Sequence, residues 1–167
     1  VGVTDLFRIL DVISHDRFVY PTGVPIEEDD IFSETDCAVY VIARQAGEGA
    51  DRKDVKADYR PDDLEYANLK LLSERYAHVC VVVNVGGFID LSFLDELNIS
   101  AVIYYAQGGQ AGGDALADIL FGKVSPSGKL TATWAYRLSD FPSTAEFSEN
   151  GDPKVQNYRE GIYVGYR

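Results

Sequence analysis

Three runs of strand length in this chain are predominantly apolar instead of alternating with polar residues: Cys37–Ala43, His78–Asn84 and Ala101–Tyr105. Such continuous apolarity is typical of strands that are covered on both faces, as in parallel sheets. Segments of helical spacing separate and follow these runs. Strands that alternate with helices favour an α/β fold with right-handed crossovers. The pattern therefore predicts a three-layer α/β/α sandwich around a mostly parallel sheet.

The predicted helices have recognisable starts and ends. Pro61 opens one of them, because proline fits a first helical turn and the aspartates after it suit the positive helix end. Its predicted apolar stripe consists of Leu64, Ala67, Leu71 and Leu72. Residues 91–97 predict a short helix, and residues 114–121 predict another that Gly122 closes.

The two ends of the chain carry weaker patterns. Asp5–Ile13 has apolar residues at helical spacing, and Lys129–Trp134 alternates as an edge segment would. A length of 167 residues suits one domain, so we assign 1–167 to a single domain, with 1–35 the part that the pattern constrains least. The chain contains no Met, which indicates a processed chain or a piece of a longer one.

Composition excludes several classes of partner. The net charge of −12 repels phosphate backbones, so we expect neither nucleic acid nor an anionic membrane surface as a partner. No apolar run reaches the roughly 18 residues that a membrane span needs. Cys37 and Cys80 lie in apolar runs and are predicted to be buried, reduced thiols. No Cys/His cluster suggests a metal, and we expect no cofactor.

The segment after the first apolar run concentrates candidate chemistry. Arg44, Glu48, Asp51 and Arg52 place two carboxylates and two guanidinium groups at a strand end. Ligands of α/β sheets bind beyond the carboxyl ends of the strands, so Glu48 suits a general acid/base. The alternative is a set of ion pairs, Glu48 with Arg44 or Asp51 with Arg52, that only hold a loop. The pattern alone leaves both open.

Other candidate positions give weaker signals. The glycine-rich turn 107–113 lacks the lysine and hydroxyl of a phosphate-binding loop and the spacing of a dinucleotide fingerprint, which disfavours a nucleotide binder. Asn84 can cap its strand or contact a ligand. Trp134 can stack on a sugar, although aromatic residues more often pack in a core.

Five motifs in order give this chain a family resemblance. Arg44-Gln-Ala-Gly-Glu-Gly-Ala-Asp-Arg52 resembles the R-x-x-GEG-x-DR signature of glycoside hydrolase family 3. The other four motifs that match patterns of its second domain are Val81–Gly86, Gly109–Gly122, Pro126–Thr133 and Tyr158–Arg167. The chain is most similar to bacterial β-glucosidases, and the motifs cover about residues 36–167. The resemblance implies a piece of the C-terminal α/β sandwich that lacks its first strand.

The resemblance also implies a mechanism. Family members join a TIM-like barrel, which holds an aspartate nucleophile, to an α/β sandwich, with the active site between them. The position of the acid/base falls on Glu48, and Arg44, Asp51 and Arg52 belong to the substrate-site loop. Retaining hydrolysis needs the two carboxyl groups about 5–5.5 Å apart. Glu48 must be protonated to start the reaction, so we expect Arg52 to pair with Asp51 or the backbone instead.

These inferences give a main hypothesis and an alternative. The main one is the acid/base domain of a retaining β-glucosidase, a hydrolase whose substrate is a β-linked glucoside bound together with the missing barrel. The isolated chain is then expected to be inactive. The alternative is a non-catalytic carbohydrate-binding or interaction module on the same scaffold. Exposed strand edges favour a homodimer, and a bacterial cytoplasm is the favoured compartment.

Overall fold

In the described part of the chain, a three-stranded parallel sheet forms the centre of the fold. The structure is a computed structural model, and it describes residues 23–31, 33–44, 52–144, 152, 154–155 and 157–162. The strands are β1 (Cys37–Ala43), β2 (His78–Asn84) and β3 (Ala101–Tyr104), in the order β1-β2-β3. Cys37 pairs with His78 at the start of β1 and β2, and Ala43 pairs with Asn84 at their ends. All three predicted strands are confirmed, and their carboxyl ends meet at one edge.

Two helices connect and follow the strands. Helix α1 (Asp63–Arg75) joins β1 to β2, and α2 (Gly112–Leu120) follows β3. Asp62 caps α1: its carboxylate accepts the Glu65 N–H, while the Glu65 carboxylate accepts the Asp62 N–H. This reciprocal capping box satisfies two N–H groups at the helix start. Gly122, with φ of +70°, follows the end of α2 in the left-handed conformation that glycine favours.

Helices cover both faces of the sheet, as the three-layer prediction requires. On one face, Leu69 and Leu72 of α1 pack in the cluster that contains Val81 and Val83. On the other face, Leu116 of α2 packs against Val82. The central strand β2 is therefore buried on both sides, which explains its continuous apolarity.

Of the predicted α1 stripe, only Leu72 is buried in the core. Ala67 is exposed and Leu64 and Leu71 are half-buried, whereas Asn68 is buried beside Leu69. The Asn68 side chain accepts the Ile26 N–H at 2.9 Å and donates to the Val24 carbonyl at 3.0 Å. Because these bonds satisfy its amide, a polar side chain takes a core position that the apolar pattern assigned elsewhere.

Four other expectations change with the structure. The predicted helix 91–97 is a 3₁₀ helix at Ser92–Glu96, and α2 begins at Gly112, two positions before the predicted start. Lys129–Trp134 forms no strand. Cys37 is exposed, because it opens a strand at the end of the described sheet, while Cys80 is half-buried; both are free thiols.

Two further points concern the ends of the chain and membranes. The predicted helix Asp5–Ile13 lies outside the described residues. Within the described ranges, no helix has the length and apolarity needed to cross a bilayer.

Candidate functional site

Arg44 comes directly after β1 and is held on every side. Its side chain is 7% exposed, and its Nη1 and Nη2 groups donate to the two carboxylate oxygens of Glu65 at 2.5 and 2.6 Å. Its Nε donates to the Asp58 carbonyl at 2.9 Å, and its remaining N–H groups donate to the carbonyls of Ala43 and Arg60. A guanidinium has five N–H donors, and all five are engaged here. Arg44 therefore has no donor to spare for Glu48.

Glu65 connects this arginine to the start of helix α1. Its side chain is 15% exposed, and the same carboxylate that binds Arg44 also accepts the Asp62 N–H at 2.9 Å. Two-point pairing of a guanidinium with a carboxylate is geometrically specific as well as strong. The pair therefore fixes the end of β1 against the start of α1.

Arg52 lies on the other side of the segment 45–51 and is held much less completely. Its side chain is 14% exposed, and its one described ion pair joins Nη1 to Asp58 Oδ1 at 3.7 Å. Within the described residues, its buried Nη1 and Nη2 atoms have no hydrogen-bond partner. Burial lowers the pKa of Arg52 below its ordinary value; Asp58 opposes this effect and Arg44 adds to it. Among the described residues, no group therefore accepts a hydrogen bond from these two nitrogens of Arg52.

Asp58 contacts both of these arginines. Its carbonyl accepts from Arg44, its carboxylate pairs with Arg52, and Oδ2 accepts the Lys53 N–H at 2.7 Å. The residue before it, Ala57, has φ of +64°, a left-handed conformation that costs energy for any residue with a Cβ. The strained residue thus directly precedes the aspartate that contacts both arginines.

The end of β3 brings a further polar side chain to the same edge. Gln107 Nε2 donates to the Arg44 carbonyl at 3.3 Å. Both Ala106 and Gln107 have positive φ, of 53° and 56°. A Cβ on Gly86 would lie 2.6 Å from Gln107 Oε1, so a glycine at the end of β2 lets this amide cross the edge. Gln107 therefore reaches across β2 to the end of β1.

Asn84 and Trp134 take up different positions at this end of the sheet. Asn84 is half-buried at the end of β2, and its Oδ1 atom is buried without a partner among the described residues. Trp134 packs edge-on against Phe88 and Tyr104, and its Nε1 donates to the Ile89 carbonyl at 2.8 Å. The packing interpretation of Trp134 accounts for these contacts without a ligand.

The predicted site residues divide into two groups. Arg44 and Arg52 are described and lie at the carboxyl edge; Glu48 and Asp51 lie outside the described residues. Sequence reasoning missed Glu65, Asp58 and Gln107. The capping-box spacing from Asp62 marked Glu65 as a helix-start residue but could not identify Arg44 as its partner. Across the described parts of the chain, no cluster of three or more metal-ligating side chains occurs.

Comparison with protein families and curated proteins gives consistent results. The family model for the glycosyl hydrolase family 3 C-terminal domain matches residues 25–166. The chain is 41% identical over 133 residues to a beta-glucosidase of Ruminococcus albus, covering 80% of this chain and 14% of that protein. It is 39% identical over 170 residues to beta-glucosidase A of Butyrivibrio fibrisolvens, covering 86% and 20%. The chain thus spans a fifth or less of the length of these relatives.

Solved structures give the same likeness. A beta-glucosidase from Paenibacillus barengoltzii superposes with a TM-score of 0.77 at 37% identity, over 86% of this chain and 16% of that one. Beta-glucosidase 3B from Thermotoga neapolitana in complex with glucose superposes with a TM-score of 0.70 at 37% identity, over 80% and 19%. The similarity therefore extends over most of the fold described above.

Proposed function

The chain belongs to the glycosyl hydrolase family 3 C-terminal domain family, and from this premise we propose that Glu48 is the general acid/base of a retaining β-glucosidase. The observation that carries the proposal is that the sequence motif containing Glu48 begins at the carboxyl edge of the sheet. Arg44 follows β1 directly, at the sheet edge where Gln107 also arrives, and Glu48 comes four residues later. This edge is where α/β sheets present their functional groups.

The pairing of Arg44 supports the chemistry. A general acid must be protonated before it can give its proton to the leaving oxygen, and an adjacent cation favours the charged carboxylate instead. The positive charge of Arg44 is already matched by Glu65. This pairing limits the extent to which Arg44 can hold Glu48 ionised.

The reaction needs a second carboxylate, which the family resemblance assigns to a barrel outside this chain. In the first step that aspartate attacks the anomeric carbon while Glu48 protonates the departing oxygen. In the second, Glu48 takes a proton from water, which displaces the enzyme carboxylate. Because one chain then carries only half of the site, we expect the isolated chain to be inactive on β-glucosides.

The test replaces Glu48 by glycine in the full-length parent enzyme. With an activated aryl β-glucoside, whose leaving group needs little protonation, the variant should accumulate glycosyl-enzyme and turn over slowly. Azide needs no general base and should attack the anomeric carbon in place of water. We expect azide to raise turnover and give a β-glucosyl azide, with a loss before rescue of about 10²–10⁴-fold.

The matched control is Glu34→Gly, which removes an exposed carboxylate from a described turn. It should keep normal turnover and show no response to azide. Unchanged activity of Glu48→Gly would instead assign this segment a structural role and favour the non-catalytic module.

A further inference from the structure

We propose that Asp58 is a positioning residue for Glu48, an inference that rests on the function proposed above. The segment 45–51 joins Arg44 to Arg52 and contains Glu48. Asp58 contacts Arg44 at one end of this segment through its carbonyl; at the other end its carboxylate forms an ion pair with Arg52 and accepts the N–H of Lys53, the residue after it. These contacts therefore set the distance between Arg44 and Arg52, the two residues that flank the segment containing Glu48.

The contacts of Asp58 with the two ends of the segment use different atoms. The Asp58 carbonyl accepts from Arg44 Nε at 2.9 Å, and this bond survives any change of side chain. The carboxylate accepts the Lys53 N–H at 2.7 Å and pairs with Arg52 at 3.7 Å. A substitution at Asp58 thus releases the Arg52 end while it leaves the bond at the Arg44 end in place.

The surroundings of Asp58 are rigid enough for such a role. The Tyr59 N–H donates to the Lys53 carbonyl at 3.2 Å, and the Arg60 N–H donates to the Val55 carbonyl at 3.1 Å. Residues 53–60 therefore form a compact turn with bonds of its own, and its position relative to β1 is set through Arg44.

A displaced acid/base has a kinetic signature that general damage lacks. Poor leaving groups need protonation in the first step, whereas a dinitrophenolate leaves without it. A variant with a misplaced acid should lose kcat/KM on a poor leaving group and keep it on an activated one. Loss of folded enzyme would lower both by the same factor.

The experiment compares Asp58→Ala with Asp54→Ala in the full-length parent enzyme. Both changes remove an aspartate from the same turn, but Asp54 contacts Arg60 and neither end of the segment 45–51. We expect Asp58→Ala to lower kcat/KM for methyl β-glucoside at least tenfold and that for dinitrophenyl β-glucoside less than threefold, or about 1.4 kcal/mol or more against less than 0.7. Asp54→Ala should change both less than threefold.

A second variant keeps the test decisive if Asp58→Ala does not fold. Asp58→Asn retains an oxygen for the Lys53 N–H and removes the charge that faces Arg52, so a smaller loss with the same leaving-group dependence is expected. Equal losses on both substrates, or losses no larger than those of Asp54→Ala, would overturn the proposal. If Glu48→Gly itself lacks the leaving-group dependence, the proposed function fails; if only the Asp58 variants lack it, the positioning role fails alone.

Discussion

Arg44 and Arg52 stand on either side of one short segment, yet the fold treats them differently. The Arg44 side chain has five hydrogen bonds, two of which form a two-point pair with the Glu65 carboxylate. Arg52 is almost as buried, but its one described ion pair is 3.7 Å long. A buried charge is costly unless it is paired, so the contacts that Arg52 makes to the described residues compensate its burial less than those of Arg44 do.

The difference separates two tasks within a single sequence motif. The Arg44 side anchors the sheet edge, because it locks the end of β1 to the start of α1. On the Arg52 side, two guanidinium nitrogens have no hydrogen-bond partner among the described residues. Incomplete pairing of buried polar groups is more common where function, not stability, sets the arrangement.

The largest expected effect comes from breaking the Arg44 anchor. Glu65→Ala removes the carboxylate and leaves the guanidinium buried without a counter-charge. We expect the free energy of unfolding to fall by about 3–5 kcal/mol. Urea unfolding of the chain, followed by the fluorescence of its single tryptophan, Trp134, measures this loss.

Glu74→Ala is the matched control for the anchor, because it removes a glutamate from the same helix. Glu74 pairs with Lys70 at the surface, where both side chains are about half exposed. Such a pair contributes about 0.3–0.5 kcal/mol. If the two variants lost similar amounts of stability, Arg44 would not be the anchor that its contacts indicate.

The second prediction concerns the Arg52 side of the comparison. Arg52→Met keeps the apolar stem and removes a guanidinium whose burial is poorly compensated. The partner Asp58 is 31% exposed and keeps its bond from Lys53, so it is not stranded. We expect a change in the free energy of unfolding of about 1 kcal/mol or less, against several for Glu65→Ala. A loss as large as that of Glu65→Ala would remove the distinction between the two arginines.

The third prediction concerns backbone strain at Ala57, the residue before Asp58. Ala57 has φ of +64°, which costs a residue with a Cβ about 1–2 kcal/mol, whereas glycine adopts it freely. Glycine also has more entropy to lose on folding, so Ala57→Gly should raise the free energy of unfolding by about 0.5–1 kcal/mol. The same urea titration measures the change. Ala115→Gly, in the exposed face of α2, should lower it by about 1 kcal/mol.

The sheet was predictable because its sequence signal is local. Residues 78–84 are apolar almost throughout, which is typical of a strand covered on both faces. Apart from Leu72, the stripe of α1 was predicted incorrectly, because Asn68 is held by Ile26 and Val24, more than forty positions earlier. The spacing of apolar residues within a helix cannot predict a hydrogen-bond partner so distant in sequence.

The candidate site shows the same division. Arg44 and Arg52 were recognisable from a motif in nine consecutive residues. Glu65 and Asp58 were not, because each joins the site through contacts made only after the chain folds back on β1. The places of Glu48 and Asp51 as site residues remain predictions that rest on the motif.

The smallest expected effect lies in Tyr59, next to Asp58. Tyr59 is buried, and its hydroxyl has no hydrogen-bond partner in the described residues. Tyr59→Phe should therefore not lower the free energy of unfolding and should raise it by up to about 1 kcal/mol.

The same substitution should change the pH dependence of stability. Burial raises the pKa of the Tyr59 phenol above its ordinary value of 10.0, and nearby Asp90 and Asp54 raise it further. When a pKa is higher in the folded than in the unfolded state, the group's contribution to stability is fully present below the unfolded pKa. That contribution is lost as the pH rises through the folded pKa. Urea unfolding between neutral pH and pH about 11 should therefore show a smaller alkaline loss for Tyr59→Phe than for the parent chain. Tyr136→Phe, which removes the same hydroxyl at a position 71% exposed, is the matched control, and an identical loss in both variants would show that Tyr59 is not the group responsible.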